Sequence, residues 1–296
     1  MTDSIEARDS NAPHDPRGAA ASLPRTAMIG VGSMGGAILA GLRSPGVSVD
    51  GPISITTRSA ASAAPFADAD DVVARASETE PGANRIAVRG ARVVILAVKP
   101  WMILDVLREI ADDLEPGAVV VSVAAGVTTG SMEALLPSDV AAVRAMPNTP
   151  SHLGRGVTGV AGGSTASADD VDVVRRRVET LGAVLVREEG RINARAAVSG
   201  SGPAYLFLFA EEFTAAARRL GFDAAEAKLL VEGTVAGAAE LMARSEEDPA
   251  QLRRNVTSPK GTTERAVEVL QTGGWGELFD RALAANIRRS EELAAE

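Results

Sequence analysis

The chain has 296 residues, 46% of them hydrophobic, with a formal net charge of −9, two histidines and no cysteine. That is enough apolar material for a sizeable core, and the length suits two domains. The negative balance repels nucleic acid and anionic lipid. The missing cysteine excludes disulfides, thiolate metal sites and cysteine nucleophiles, and two histidines leave little for zinc or a histidine-based triad.

Residues 1–25 carry Pro13, Pro16 and Pro24, scattered charges and few large apolar groups, which predicts a disordered tail. The tail lacks the apolar stretch of a secretory signal, and its acidic residues argue against a transit peptide, so a cytoplasmic protein is expected. The longest apolar runs, Val93 to Val98 and Val119 to Val123, are strand-sized and far short of the ~20 residues of a membrane helix.

From Thr26 onward, strands are expected at 26–31, 53–57, 92–98, 118–123, 140–144, 157–161 and 184–186. They alternate with helices at 33–42, 101–114, 129–136 and 168–181, the last opened by a capping pair of Ser167 and Asp170. Nearly continuous Val and Ile runs suit strands covered on both faces. The expected fold over residues 26–188 is therefore α/β, a Rossmann-like doubly wound and mostly parallel sheet. Residues 59–90, Ala-rich and interrupted by Pro65 and Pro81, accommodate a short helix and a strand without clear boundaries.

After Gly190 the strand signal ends. Helices are expected at 203–220, 223–245, 262–271 and 276–293, with capping pairs Asp223/Glu226 and Asp248/Gln251, giving an all-helical domain over 189–296. Small residues at 233–239 and 282–285 allow close helix approach. They suit completion by a partner subunit, a homo-oligomer with the dimer as minimum.

The first strand runs into a Gly-x-Gly-x-x-Gly turn made of Gly30, Gly32 and Gly35, with Ser33 and Met34 opening the helix behind it. Gly30 permits the tight turn, Gly32 lets a diphosphate approach the backbone, and Gly35 lets the helix pack on the strand. The second strand ends Thr56-Thr57-Arg58-Ser59, without the acidic residue an NAD site uses. Hydroxyls and a guanidinium complement a 2′-phosphate, so NADPH is the expected cofactor and NADH the alternative. Ala97-Val98-Lys99-Pro100 puts Lys99 at the carboxyl edge of the sheet, where ligands bind. Ser122 to Gly126, centred on Ala124, is a small-residue edge able to sit under a nicotinamide. Far downstream, Ser258-Pro259-Lys260-Gly261-Thr262-Thr263 opens an amphipathic helix whose first amides and hydroxyls suit a small carboxylate. Two such anion sites point to an oxidoreductase acting on a small acid.

The order of these motifs, together with Ala145-Met146-Pro147-Asn148-Thr149-Pro150 and Ser199-Gly200-Ser201-Gly202-Pro203-Ala204-Tyr205, resembles the pyrroline-5-carboxylate reductases from Thr26 to Leu293. The resemblance implies a Rossmann domain followed by a helical dimerisation domain. It also implies hydride transfer from NADPH to the imine carbon of pyrroline-5-carboxylate, the last step of proline biosynthesis. Arg58, Asn84 and Ala97 to Pro100 would then contact the cofactor. Ser258, Gly261, Thr262 and Thr263 would hold the substrate carboxylate, with Thr263 facing the ring nitrogen, and Glu189 would line the substrate region. Three departures stand out: Lys260 replaces a glycine, Trp101 follows Lys99-Pro100 where a polar residue is common, and Asn193 and Ala196 stand where Asp and Thr are common.

A protonated ring imine is already electrophilic, so a chain this poor in histidine needs no strong general acid; its task is to hold ring and nicotinamide together. His152 is a candidate proton shuttle or a loop-packing residue, and Tyr205 a candidate catalytic phenol or a packing aromatic. The competing readings are a β-hydroxyacid-type dehydrogenase and a noncatalytic NADPH-binding dimer. The first calls for a lysine that Ser199 to Glu212 lacks.

Overall fold

The computed structural model describes residues 22–295, with side chains through Glu292. Residues 1–21 of the expected tail lie outside the described residues. Leu23 to Arg25, which had been grouped with that tail, belong to the fold. Buried Leu23 forms a parallel bridge with Val49, and the Arg25 carbonyl accepts from the amides of Arg92 and Val93.

Among the described residues eight strands form one sheet: β1 (Thr26–Ile29), β2 (Ile53–Thr57), β3 (Val72–Ala76), β4 (Val93–Leu96), β5 (Val119–Ser122), β6 (Ala141–Met146), β7 (Gly156–Gly162) and β8 (Gly182–Val186), in the order β3-β2-β1-β4-β5-β6-β7-β8. All neighbours are parallel except β6 and β7. The connection between those two is a short 3₁₀ turn, Thr149–Leu153, too short for a helical crossover, so β7 returns antiparallel. The unassigned 59–90 region holds α2 (Ala60–Ala63), edge strand β3 and α3 (Ala83–Val88). Only the ends of β3 are buried, which is why its periodicity is weak in sequence.

Side chains alternate across the sheet. Met28, Ile55, Ile95, Val121 and Val143 pack under α1 (Ser33–Leu42) and, further along the sheet, α6 (Ala168–Val178). Ala27, Ile29, Val94, Leu96 and Val120 pack under α3, α4 (Ile103–Ile110) and α5 (Thr129–Glu133). Fully buried Arg177 of α6 ties the sheet to the chain before β1, donating to the carbonyls of Pro24 (2.7 Å) and Val173 (2.8 Å) and to the Thr26 hydroxyl (3.2 Å). Burial pushes its guanidinium down to about 10, and the nearby charges of Arg176 and Arg92 add to the shift.

Beyond β8 the chain is helical: α7 (Ile192–Arg195), a π-helical turn (Ala196–Gly200), α8 (Gly202–Arg219), α9 (Ala224–Arg244), α10 (Pro249–Asn255), α11 (Thr262–Thr272) and α12 (Trp275–Ala295). Ser199 to Gly202, expected as a loop, is a wound helical segment: the Ser201 amide donates to the Ala196 carbonyl five residues back. The capping boxes at Ser167/Asp170 and Asp223/Glu226 are both formed. At Asp248 only half of the box exists, because the Gln251 side chain turns forward to Asn255. Among the described residues of α8 to α12 only Ala217, Ala227 and Val231 are buried, while Phe207, Leu229, Val269 and Leu278 stand exposed. No helix among the described residues is long and apolar enough to cross a membrane.

Candidate functional site

Hydrogen bonds from Gly30 to the Thr56 carbonyl (3.0 Å), from Ala97 to Ile29 (2.8 Å) and from Val123 to Leu96 (3.1 Å) bring the carboxyl ends of β1, β2, β4 and β5 to one edge. The glycine turn on that edge is shaped for a dinucleotide. Gly30 has φ +88°, and a Cβ there would stand 2.8 Å from Val98 Cγ1 and 2.9 Å from the Ala97 carbonyl. A Cβ on Gly35 would collide with the Gly30 carbonyl, whereas one on Gly32 would meet nothing within 4 Å. Gly32 therefore opens onto free space at the start of α1, and as the N-cap it brings no side chain to satisfy the first-turn amides. A diphosphate fits both the space and the donors.

Around this turn, Ser33 and Lys99 are exposed, Met34, Ala97 and Val98 are half-buried, Ala124 is buried, and Trp101 is 76% exposed just beyond Pro100. Exposed Arg58 ends β2 with its guanidinium in no hydrogen bond or ion pair among the described residues. Beside it, Glu78 accepts from the Ala60 amide (2.7 Å) and donates its own amide to the Arg58 carbonyl. This carboxylate was missed in sequence because it arrives from β3 rather than β2. Asn84 Nδ2 donates to Glu109 (2.8 Å) on the wall of a cavity of about 340 Å³ that also takes in Ser77, Gly82 and Met102.

A second cavity, about 350 Å³, lies between the two halves. Met34, Ala125 and Gly126 wall it from the cofactor side, Arg144 and Met146 to Thr149 from the end of β6, and Asn193, Ala196 and Ser201 from the helical side. Arg144, its side chain 5% exposed, donates to Glu189 Oε1 (3.2 Å); Glu189 also accepts from the amide (2.7 Å) and hydroxyl of Thr129 at the start of α5. Glu189 thus stands behind Arg144 rather than in the cavity lining. Asn148 fixes the adjoining loop, donating to the Ser199 carbonyl and accepting from the Val157 amide, both at 2.9 Å. Sequence reasoning did not single out Arg144 or Asn148 as site residues; the only available signal was a charged and an amide side chain at the end of an otherwise apolar strand. The Tyr205 hydroxyl donates to the Ala197 carbonyl (3.1 Å), as a packing aromatic does.

The Ser258 to Thr263 segment does not line this cavity within one chain. Gly261 is the N-cap of α11, and the exposed Thr262 and Thr263 hydroxyls have no partner among the described residues. Lys260 is the sole non-glycine with positive φ among the described residues (61°), and its amide donates to Glu264 (2.9 Å).

A model for pyrroline-5-carboxylate reductase dimerisation matches residues 189–293, and one described as NADP oxidoreductase coenzyme F420-dependent matches 25–126. The chain is 40% identical over 276 residues to pyrroline-5-carboxylate reductase of Pseudomonas aeruginosa, covering 92% of this chain and 98% of that one. The chain belongs to the pyrroline-5-carboxylate reductase family. The family's enzyme from Corynebacterium melassecola is 37% identical, over 90% of this chain and 97% of the relative. A solved pyrroline-5-carboxylate reductase from Coxiella burnetii superposes with a TM-score of 0.84 at 39% identity, covering 92% of this chain and 99% of that one. The family's dimerisation match falls on the helices whose apolar faces are bare, and the protein is a homo-oligomer.

Proposed function

We propose that this protein reduces the imine of 1-pyrroline-5-carboxylate to L-proline with NADPH, the last step of proline biosynthesis, as a cytoplasmic oligomer whose minimum is a dimer. The observation that carries the reading is the chemistry of the central cavity. Among the described residues its lining includes Arg144, paired with Glu189 behind it, and Arg289, but no carboxylate, histidine, lysine or tyrosine. Such a wall suits an anionic substrate and offers no proton donor of the kind a ketone reduction needs. A protonated cyclic imine needs none: its carbon accepts a hydride, the C=N bond becomes C–N, and the nitrogen is left as a neutral amine.

When bound, the dinucleotide supplies that hydride. The chain's own work is to hold the reactants. Gly30, Gly32, Ser33, Met34 and Gly35 would cradle the diphosphate, Arg58 would meet the 2′-phosphate and Asn84 the ribose. Ala97 to Pro100 and Ala124, on the same sheet edge, would hold the nicotinamide end. NADH lacks the group Arg58 would read and would bind more weakly.

Ser258, Gly261, Thr262 and Thr263 of a second copy complete the cavity. This reading explains why Thr263, proposed to orient the ring nitrogen, is exposed in a single chain. Glu189 supports the substrate region through Arg144. On this reading residues 26–188 bind the cofactor and 189–296 bind substrate and the second copy.

The test is NADPH consumption by purified protein with 1-pyrroline-5-carboxylate and, side by side, its six-membered homologue. Oxidation with the five-membered ring supports the proposal. NADPH binding without oxidation by either ring would make the protein a noncatalytic binder.

A further inference from the structure

We propose that His152 is a positioning residue for the cofactor diphosphate, acting through the Ser33 hydroxyl. The inference rests on the dinucleotide reading above and adds to it a side chain from outside the glycine turn. His152 Nε2 lies 3.2 Å from Ser33 Oγ, a hydrogen bond that spans 119 residues of sequence. Ser33 is the first residue of α1, beside the one glycine of the turn that opens onto free space. Its hydroxyl is therefore the side-chain donor nearest the place where phosphate oxygens must lie.

His152 is held there by construction. It sits in the 3₁₀ turn Thr149–Leu153, whose entrance is locked by the two Asn148 hydrogen bonds and whose exit is closed by the Arg155 amide on the Pro150 carbonyl (3.1 Å). The same turn packs against α1. An imidazole can serve as donor or acceptor at Nε2, so without ligand either partner can supply the proton. When the Ser33 hydroxyl donates to an anion, its lone pair is left to accept, and Nε2–H fills that role. His152 thus fixes the rotor of Ser33 and polarises it toward the phosphate, as linked hydrogen bonds do. His152 does not line the central cavity, which argues against its acting as a proton shuttle to the ring.

The test compares wild type, His152→Ala and His152→Gln in the full-length protein, reading Kd for NADPH, NADH and adenosine 2′-monophosphate, together with KM and kcat. Loss of one hydrogen bond that supports a charged group corresponds to roughly a 10-fold change in affinity. His152→Ala should weaken NADPH and NADH alike by about that factor, raise KM for NADPH without lowering kcat, and leave the monophosphate, which has no diphosphate, unaffected. His152→Gln, which keeps a donor and an acceptor, should restore most of the loss. In a Ser33→Ala background, His152→Ala should cost little more. Unchanged NADPH affinity in His152→Ala would overturn the proposal, and so would equal weakening of the monophosphate, the mark of mere loop packing. Wild-type protein that binds no dinucleotide would instead overturn the reading on which the proposal rests.

Discussion

The two halves of the molecule are finished to different degrees. In the sheet half, the five neighbouring strands β2, β1, β4, β5 and β6 are buried almost throughout, with Met28, Ile95, Leu96 and Val120 at or near zero exposure. The helical half buries only Ala217, Ala227 and Val231 among the described residues of α8 to α12, and leaves Phe207 and Leu229 66% and 75% exposed. A closed core can shape a cofactor turn by itself. An open helical layer cannot complete a substrate site, and here the segment expected to bind substrate lies away from the cavity. On the function proposed above, oligomerisation would be part of building the active site.

The severest challenge to that contrast is to keep the helices apart. Phe207→Glu places a charge on the exposed face of α8, which a dimer has to desolvate. We expect a monomer by sedimentation, with reductase activity lowered on the order of 100-fold or more and NADPH affinity kept within about 2-fold, because the sheet half is untouched. A fully active monomer would show that one chain carries the whole site. Next in size is Thr263→Ala. If a second copy brings this hydroxyl to the ring nitrogen, kcat should fall roughly 10- to 100-fold while the Kd for NADPH stays put. Equal losses in both would remove Thr263 from the substrate side of the comparison.

The same contrast explains what could be read from sequence. The finished half was legible almost throughout: α1 and β2 fall at their expected limits, and the Ser167/Asp170 box is formed. Its misses are local. Edge strand β3 is buried only at its ends, and Leu23 is tied down by a single bridge that no periodicity announces. The helices of the other half were also legible, since caps such as Asp223 and Glu226 are encoded within a few residues. The central cavity was less legible: Arg144 of β6 and Thr129 of α5 meet Glu189, the one of the three expected there, only in the folded chain, and the apolar faces of α8 and α9 declare only that something must cover them. The π turn at Ala196–Gly200 was equally hidden: Gly200 and Gly202 favour a loop, and only the tertiary fold winds the segment into a helix.

A smaller effect is expected where the finished half reads its ligand. Arg58 has no partner to release among the described residues, so Arg58→Ala should lower kcat/KM with NADPH by roughly 10-fold and leave NADH nearly unchanged. The neighbouring Glu78 carboxylate, held on the Ala60 amide, keeps a negative charge beside the same strand end. It should therefore restrain the preference for NADPH, and Glu78→Gln should move the ratio the opposite way from Arg58→Ala. Steady-state kinetics with both cofactors would read both effects; an Arg58→Ala enzyme with unaltered preference would mean that another group reads the 2′-phosphate.

The smallest effect sits in the unfinished half, at Lys260. A lysine with φ 61° occupies backbone space that glycine enters freely, and such a residue costs of order 1 kcal/mol. Lys260→Gly relieves that strain but also frees the unfolded chain, so the net gain should be less than about 1 kcal/mol in denaturant unfolding. The amide at this position still donates to Glu264, which keeps the turn before α11 in place. Substrate affinity is the sharper measure. If the lysine ammonium assists the α11 amides in holding a carboxylate, Lys260→Gly should raise KM for the imino acid a few-fold even as the protein becomes more stable. A lower KM would show instead that the strained backbone, rather than the charge, is what this position contributes to the site.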